Sequence, residues 1–227
     1  RTFTLCSAFN LVRSHMQPSF MFTKICHPRL PLKVSIFLLR LLRNRLPLDS
    51  TICKLGISGP SKCFCCVQAN VESMDHVFCN GQVAVYVWNF FGSASGVLNL
   101  GCSVRAYITG WWYSASRTGF LAFVHFIIPS LICWNIWKSR NLARFEGKIL
   151  SHVAICEFVF EEVKNLFRLQ FPEHPFLSST WMQFYSSLSS LNQTASFKIV
   201  RWGRPPLGVF KLNTDGCSRG NPGRAGG

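Results

Sequence analysis

The sequence has 227 residues, of which 48% are hydrophobic, and it contains 11 cysteines. This length allows one or two domains, and the apolar content excludes a chain that is disordered throughout. The odd cysteine count, without a secretory signal, argues against a disulfide-stapled domain, and we expect an intracellular protein. With 24 Lys+Arg residues against 9 Asp+Glu residues, the net charge is +15. This charge favours a polyanionic partner, chiefly nucleic acid, and the alternative is a solvated basic surface.

The first strongly periodic segment lies between Pro31 and Pro47. Apolar residues recur there at helical spacing and predict a buried helix face: Val34, Phe37, Leu38, Leu41 and Leu42. Arg40 and Arg43 fall on the opposite side, and Arg45 falls in the predicted last turn, where a cation suits the helix dipole. We interpret these arginines as candidates for contacts with nucleic-acid phosphates. The competing interpretation is the solvated side of a core helix.

A cysteine-rich loop follows between Lys62 and Gly81. Cys63 and Cys66 have the C-x2-C spacing that lets two thiolates bind one tetrahedral zinc ion from a tight turn. His76 and Cys79 extend the pattern to C-x2-C-x9-H-x2-C, which predicts a zinc site. Cys65 is an alternative member of the first pair. The competing interpretation is a group of small, buried hydrophobic side chains.

The longest apolar run extends from Phe120 to Trp137. A membrane span needs about 20 apolar residues, and this run is shorter and contains His125, Ser130 and Asn135. We therefore predict a buried helix that begins at Pro129, where its missing N–H costs nothing, and no membrane association. A further helix is predicted from about residue 151 to 167, followed by a stretch rich in proline and serine that is typical of a linker.

The C-terminal segment predicts a strand, Val209 to Thr214, followed by Asp215 and a Gly-rich turn. A carboxylate at the end of a strand, beside flexible backbone, suits a Mg²⁺ ligand in two-metal phosphodiester hydrolysis. The alternative is an ordinary turn, because Asp-Gly is a common turn dipeptide. The glycines do not form a phosphate-binding P-loop, since no GK[ST] follows them.

The order of these motifs resembles a known family. The zinc-binding domain that follows the polymerase in plant non-LTR retrotransposon reverse transcriptases is similar to the ordered strings LPLKVSIFLLRLLRNRLPLDSTICKLGI, CFCC, ESMDHVF and VWNFF. The connecting segment of the same elements resembles IPSLICWNIWKSRNLARFEG. The opening strand and turn of type 1 ribonuclease H domains in plants resembles KLNTDGCSRGNPGRAGG.

The resemblance implies roles for individual residues. Cys63, Cys66 and His76 match the zinc ligands of the family. The fourth ligand is usually a cysteine five residues after the histidine; Gly81 occupies that position, and Cys79 is the candidate that replaces it. By the same resemblance, Asp215 is the first catalytic carboxylate of a ribonuclease H domain, and magnesium binds there only in a complete domain.

The predicted fold is mainly α with a small Cys/His zinc-binding loop, followed by a truncated α/β, ribonuclease H-like start. We predict a zinc-binding domain over 1–95, a helical connecting segment over 96–170, a linker over 171–200 and an N-terminal ribonuclease H fragment over 201–227. The predicted function is that of a nucleic-acid-binding fragment of a retrotransposon-derived polyprotein. Its expected partner is RNA, DNA or an RNA–DNA hybrid, and the resemblance implies a nuclear location.

The sequence beyond Asp215 bears on catalysis. No Asp or Glu follows this residue, and the sequence begins with Arg1 rather than Met, so we expect a fragment that does not cleave RNA–DNA hybrids by itself. Two alternatives stay open. One is an RNA–DNA hybrid ribonuclease, if the chain continues past Gly227, and the other is a non-functional, degenerate remnant.

Overall fold

The computed structural model describes residues 19–57, 59, 61–66, 70–98, 103–114, 119–174, 179–192, 207, 217–219 and 224–226. The chain divides into two compact units, residues 1–194 and 195–227. All of the described helices lie in the first unit, and the described strands lie in the second. The predicted mainly helical architecture is therefore confirmed for the described part of the chain.

Between residue 19 and the cysteine-rich loop, the described part of the chain forms three helices: α1 (Phe20–Ile25), α2 (Leu32–Leu42) and α3 (Asp49–Cys53). The predicted apolar face of α2 is confirmed, since its buried residues are Val34, Phe37, Leu38, Leu41 and Leu42. The helix ends at Leu42, so Arg45 lies beyond it and not in its last turn. The helix cannot continue because Asn44 adopts a left-handed backbone conformation with a φ of 52°.

The loop leads into a π-helical turn (His76–Asn80). The described residues after it form the helices α4 (Gln82–Ser95), α5 (Val104–Ser114), α6 (Phe120–Glu146), α7 (His152–Gln170) and α8 (Trp181–Asn192). Helix α6 lies at the centre of the core, because it packs against α2, α4, α5, α7 and α8. Among the described residues it is the one helix long and apolar enough to cross a membrane, and 72% of its most apolar window is buried inside the protein. Such burial is typical of a core helix.

The prediction that this helix begins at Pro129 is wrong. Helix α6 begins at Phe120 and continues through the proline. Pro129 has no N–H to donate to the carbonyl of His125, and an interior proline costs a helix about 3 kcal/mol. The side chains of Ile128 and Leu131, on either side of it, are fully buried, and this packing offsets the cost.

The segment predicted as a linker over 171–200 contains helix α8. Its buried residues recur every three or four positions: Trp181, Phe184, Tyr185 and Leu188. The indole N–H of Trp181 donates to the carbonyl of Phe91 in α4 at 3.2 Å. The serines that suggested a linker include Ser186, Ser187 and Ser190, which lie on the exposed side of the helix. The high serine content of this segment therefore hid the helical spacing of its apolar residues, which form the buried face of α8.

A chain of hydrogen bonds crosses the core between α5, α6 and α8. The hydroxyl of Tyr185 lies 2.7 Å from Nε2 of His125, and Nδ1 of His125 lies 2.9 Å from Oγ of Ser114. Ser114 donates its proton to the carbonyl of Trp111, so its Oγ can accept from Nδ1–H while Nε2 accepts from Tyr185. Burial lowers the pKa of His125 to about 4, so this imidazole is neutral at pH 7.

The second unit contains a short antiparallel pair, β1 (Cys217–Arg219) and β2 (Arg224–Gly226). Cys217 pairs with Gly226, and Arg219 pairs with Arg224. The predicted strand over 209–214 and the candidate catalytic residue Asp215 lie outside the described residues.

Candidate metal centre

The structure brings together three side chains of the predicted zinc site. The ligand atoms of Cys63, Cys66 and His76 all lie within 4.8 Å of one another. Sγ of Cys66 lies 3.3 Å from Nε2 of His76. Neighbouring ligand atoms in a tetrahedral zinc site lie about 3.3 to 3.8 Å apart, as zinc–sulfur and zinc–nitrogen bond lengths require. The distance from Cys66 to His76 falls in this range, and two thiols with one imidazole are a donor set that suits zinc.

Backbone hydrogen bonds hold the two halves of this centre. The N–H of Cys63 donates to the carbonyl of Asn70 at 2.8 Å and closes the cysteine loop. On the other side, Oγ of Ser73 accepts the N–H of His76 at 3.1 Å and fixes the start of the π-helical turn. These hydrogen bonds help to place the loop and the turn so that their candidate ligands face each other.

The thiols of the loop have unequal acidities. Hydrogen bonds from Cys65 above all, and also from Cys66 and His76, lower the pKa of Cys63 to about 5, although burial opposes the shift. Burial raises the pKa of Cys66, and the charge of Cys63 raises it further. Backbone N–H groups of Gln82 and its neighbour in the first turn of α4 act in the opposite direction by donating to Cys66. Cys63 is therefore the more acidic of the two thiols, and Cys66 would have to lose its proton to act as a metal ligand.

Cys79, the predicted fourth ligand, is not part of the group formed by Cys63, Cys66 and His76. Its side chain is fully buried in the hydrophobic core. It lies near Cys133 of α6, whose pKa is raised by burial and then by the charge of Cys79. The π-helical turn explains this arrangement, because it directs His76 to the loop and Cys79 into the core.

Gly81, by contrast, lies directly beside the centre. Its N–H donates to the carbonyl of His76 at 2.7 Å and closes the π-helical turn. A Cβ atom added to Gly81 would lie 3.3 Å from Nε2 of His76, the same atom that Cys66 contacts. It would also lie 2.5 Å from the carbonyl oxygen of His76, which is too close without a local shift. The position five residues after His76 therefore faces the metal centre but carries no side chain.

A buried charge cluster, formed by Asp49, Glu72, Arg140 and Arg144, supports the cysteine loop. The side chains of Glu72 and Arg140 are 0% and 1% exposed, and they form two hydrogen bonds of 2.7 and 2.6 Å. Arg144 donates to Asp49 at 2.6 Å and to Glu72 at 3.1 Å. Because both members of the central pair are buried, removing either one would leave an uncompensated charge in the interior.

This cluster connects helix α6 to the cysteine loop. The N–H of Glu72 donates to Oγ of Ser61, so the two ends of the loop are joined beside the cluster. The guanidinium of Arg144 lies 5.4 Å from the ring centroid of Phe64, which stands between Cys63 and Cys65 in sequence. Sequence reasoning missed the cluster, since Glu72 and Arg140 are 68 residues apart and no local spacing signals their contact.

The arginines predicted to contact nucleic acid are all exposed. Arg40 lies in the last turn of α2, Arg43 follows its end, and the N–H of Arg45 donates to the carbonyl of Arg40 at 2.8 Å. The first acidic residue of the sequence, Asp49, is engaged by Arg144. The charges of these arginines are therefore not neutralised by the nearest acidic residue in sequence.

Comparison with known proteins identifies part of the chain. Residues 3–88 match the family model for zinc-binding in reverse transcriptase. This span contains Cys63, Cys66 and His76, so the match and the geometry agree on a possible metal site. No curated protein and no solved structure matches the chain. The match points to a protein related to reverse transcriptases.

Proposed function

We propose that this chain is a nucleic-acid-binding part of a retrotransposon-derived reverse transcriptase polyprotein, with a structural zinc ion in its cysteine loop. The observation that carries the proposal is the convergence of Cys63, Cys66 and His76 within the segment that matches the zinc-binding family model. The free thiols in the described part of the chain support an intracellular location, where such ligands stay reduced.

Zinc bound here would act by linking two segments that the fold already brings close. Cys63 and Cys66 hold the loop, and His76 holds the π-helical turn that leads into α4. Such a cross-link stabilises the folded chain, because a preformed set of ligands does not exist in the unfolded state. Since Cys63 is already acidic, binding at pH 7 requires the loss of the proton of Cys66.

Nucleic acid is the partner that the charge distribution supports. The chain carries a net charge of +15, and Arg40, Arg43 and Arg45 form an exposed basic series at the end of α2. Exposed guanidinium groups bind phosphate oxygens and release the counterions of the nucleic acid. We propose RNA, DNA or an RNA–DNA hybrid as the ligand.

The C-terminal segment supports a finer proposal, that a ribonuclease H-like domain starts here. Its support is the string KLNTDGCSRGNPGRAGG, in which Asp215 stands at the end of an alternating apolar segment. In a complete domain Asp215 would be one of several carboxylates that hold magnesium for hybrid hydrolysis.

The metal site is tested by measuring zinc in the purified 227-residue chain. We expect about one equivalent, lost in Cys66→Ser and retained in Cys65→Ser, the matched control that removes a neighbouring thiol outside the ligand group. Zinc retained in Cys66→Ser would show that the metal is bound elsewhere, and zinc lost from Cys65→Ser alone would make Cys65 the ligand instead.

Nucleic-acid binding is tested by fluorescence anisotropy with a single-stranded RNA 12-mer at several salt concentrations. Replacing Arg40, Arg43 and Arg45 together by glutamine should lower the slope of log K against log salt by about 2, at roughly 0.7 per lost phosphate contact. An unchanged slope would assign these arginines to a solvated surface only.

A further inference from the structure

A polar cleft lies between the end of α2, helix α3, the segment before the π-helical turn and the start of α5. Its volume is about 420 Å³. Hydrogen-bonding side chains on its walls are Asn44, Ser50, Thr51, Lys54, Ser73, Asp75, Ser103 and Arg105. Among the described residues that line it there is no aromatic side chain. The cleft therefore offers donors and positive charge but no ring on which a base could stack.

The two cations of the cleft are available to a ligand. Lys54 and Arg105 are both exposed, and neither forms an ion pair with a carboxylate in the described part of the chain. The guanidinium of Arg105 donates to the carbonyl of Leu42 at 3.1 Å, which fixes its orientation at the end of α2. Its remaining N–H groups can therefore bind an anion without further ordering.

The cleft is continuous with the exposed basic series. Asn44, which lines it, stands between Arg43 and Arg45 and holds the left-handed conformation that ends α2. A nucleic-acid strand that contacts these two arginines would pass the mouth of the cleft. A backbone phosphate is the strand component that hydroxyl, amide, ammonium and guanidinium groups recognise together.

We propose that this cleft binds a backbone phosphate of a single nucleic-acid strand, without reading its base sequence; the inference rests on the proposed nucleic-acid function. The one carboxylate among the described lining residues, Asp75, limits the affinity, because it repels the phosphate. Ser73 joins the cleft to the metal centre, since it lines the cleft and its Oγ accepts the N–H of the ligand His76.

The test compares Lys54→Gln, Arg105→Gln, Asp75→Asn and Arg168→Gln in the 227-residue chain by anisotropy with the RNA 12-mer. Arg168 is an exposed arginine in the last turn of α7 that does not line the cleft, so its variant controls for the loss of one charge. We expect Lys54→Gln to lower affinity about tenfold and the salt slope by about 0.7. Asp75→Asn should raise affinity, and Arg168→Gln should leave the slope unchanged. Thermal unfolding of each variant, measured in parallel, shows that the fold is retained.

The outcomes distinguish failure of the cleft proposal from failure of the proposed nucleic-acid binding on which it rests. If the wild-type chain does not bind the RNA, both proposals fail. If it binds, and Lys54→Gln and Arg105→Gln behave like Arg168→Gln, the cleft is refuted and the proposed function stands. Equal losses with oligo(U) and oligo(A) are expected for a phosphate contact, whereas a loss with only one of them would overturn it. Saturable binding of a nucleoside monophosphate that Lys54→Gln removes, with RNA binding unchanged, would assign the cleft to a free nucleotide instead.

Discussion

A thiol at position 81 should complete the metal centre. Gly81 has a φ of −69° and a ψ of 149°, which any L-residue can adopt, so the backbone does not require glycine there. The obstacle is steric, because the new Cβ would lie 2.5 Å from the carbonyl oxygen of His76. The same Cβ would lie 3.3 Å from Nε2 of His76, so a thiol attached to it would be close to the metal centre.

The two effects differ enough in size to be separated. Forcing a methyl-sized group into this contact should destabilise the metal-free chain by about 1 to 3 kcal/mol, the usual range for overpacking. Structural zinc sites with four ligands bind with about 10 to 16 kcal/mol, or roughly 3 kcal/mol per ligand. A cysteine at position 81 should therefore raise zinc affinity about a hundredfold while it lowers stability without metal.

The assay uses Gly81→Ala as the matched control, since alanine adds the same Cβ without a thiol. Competition with a chromophoric chelator gives the zinc affinity, and thermal unfolding with and without chelator gives the stability. Gly81→Cys should bind zinc more tightly than wild type, and Gly81→Ala should not. If the two variants have the same zinc affinity, position 81 does not face the metal and the assigned geometry of the centre is refuted.

Three further results are expected. Arg140→Met should lower the free energy of unfolding by about 3 kcal/mol, measured by denaturant titration. The reason is that Glu72 then stays buried with only Arg144 and the backbone N–H of Asp49 as partners. The control is Arg168→Met at an exposed position, which should change the free energy of unfolding by less than about 0.5 kcal/mol. His125 has a pKa of about 4 in the folded chain against 6.5 when unfolded, so stability should fall by about 3 kcal/mol as the pH drops from 6.5 to 4. His125→Gln should flatten that part of the pH profile, and an identical profile in both proteins would assign the loss to other groups. Cys79→Ala should keep its zinc while losing about 1 kcal/mol of stability; a variant without zinc would restore Cys79 as a ligand.

Local spacing predicted the parts of the molecule that depend on neighbours in sequence. The buried face of α2 follows from a helical period, and the pairing of Cys63 with Cys66 follows from a tight turn. Contacts across the fold were not predictable in this way. Nothing near Glu72 indicates that Arg140 will neutralise it, and nothing near Pro129 indicates that packing on both sides will keep it inside a helix.

Composition also misled where it was used in place of periodicity. The serines of α8 suggested a linker, yet they lie on the exposed face of a helix whose other face buries Trp181 and Leu188. The fourth position of the metal centre shows a different limit. Which residue after His76 faces the metal centre depends on the π-helical turn, because this turn rotates every later side chain relative to an α-helix. No residue type in the sequence predicts such a turn.

The buried charge cluster has a consequence for how this protein can be divided. The span that matches the zinc-binding family ends at residue 88, but the partners of its buried Glu72 are Arg140 and Arg144. An excised piece that stops at residue 88 would contain an unneutralised carboxylate in its interior, and would be expected to unravel or to recruit a substitute cation. The span of sequence similarity is therefore shorter than the set of residues that neutralises its buried charge. An exchange of only the matched span between related proteins would have to carry along, or replace, a pair of arginines from a helix well outside it.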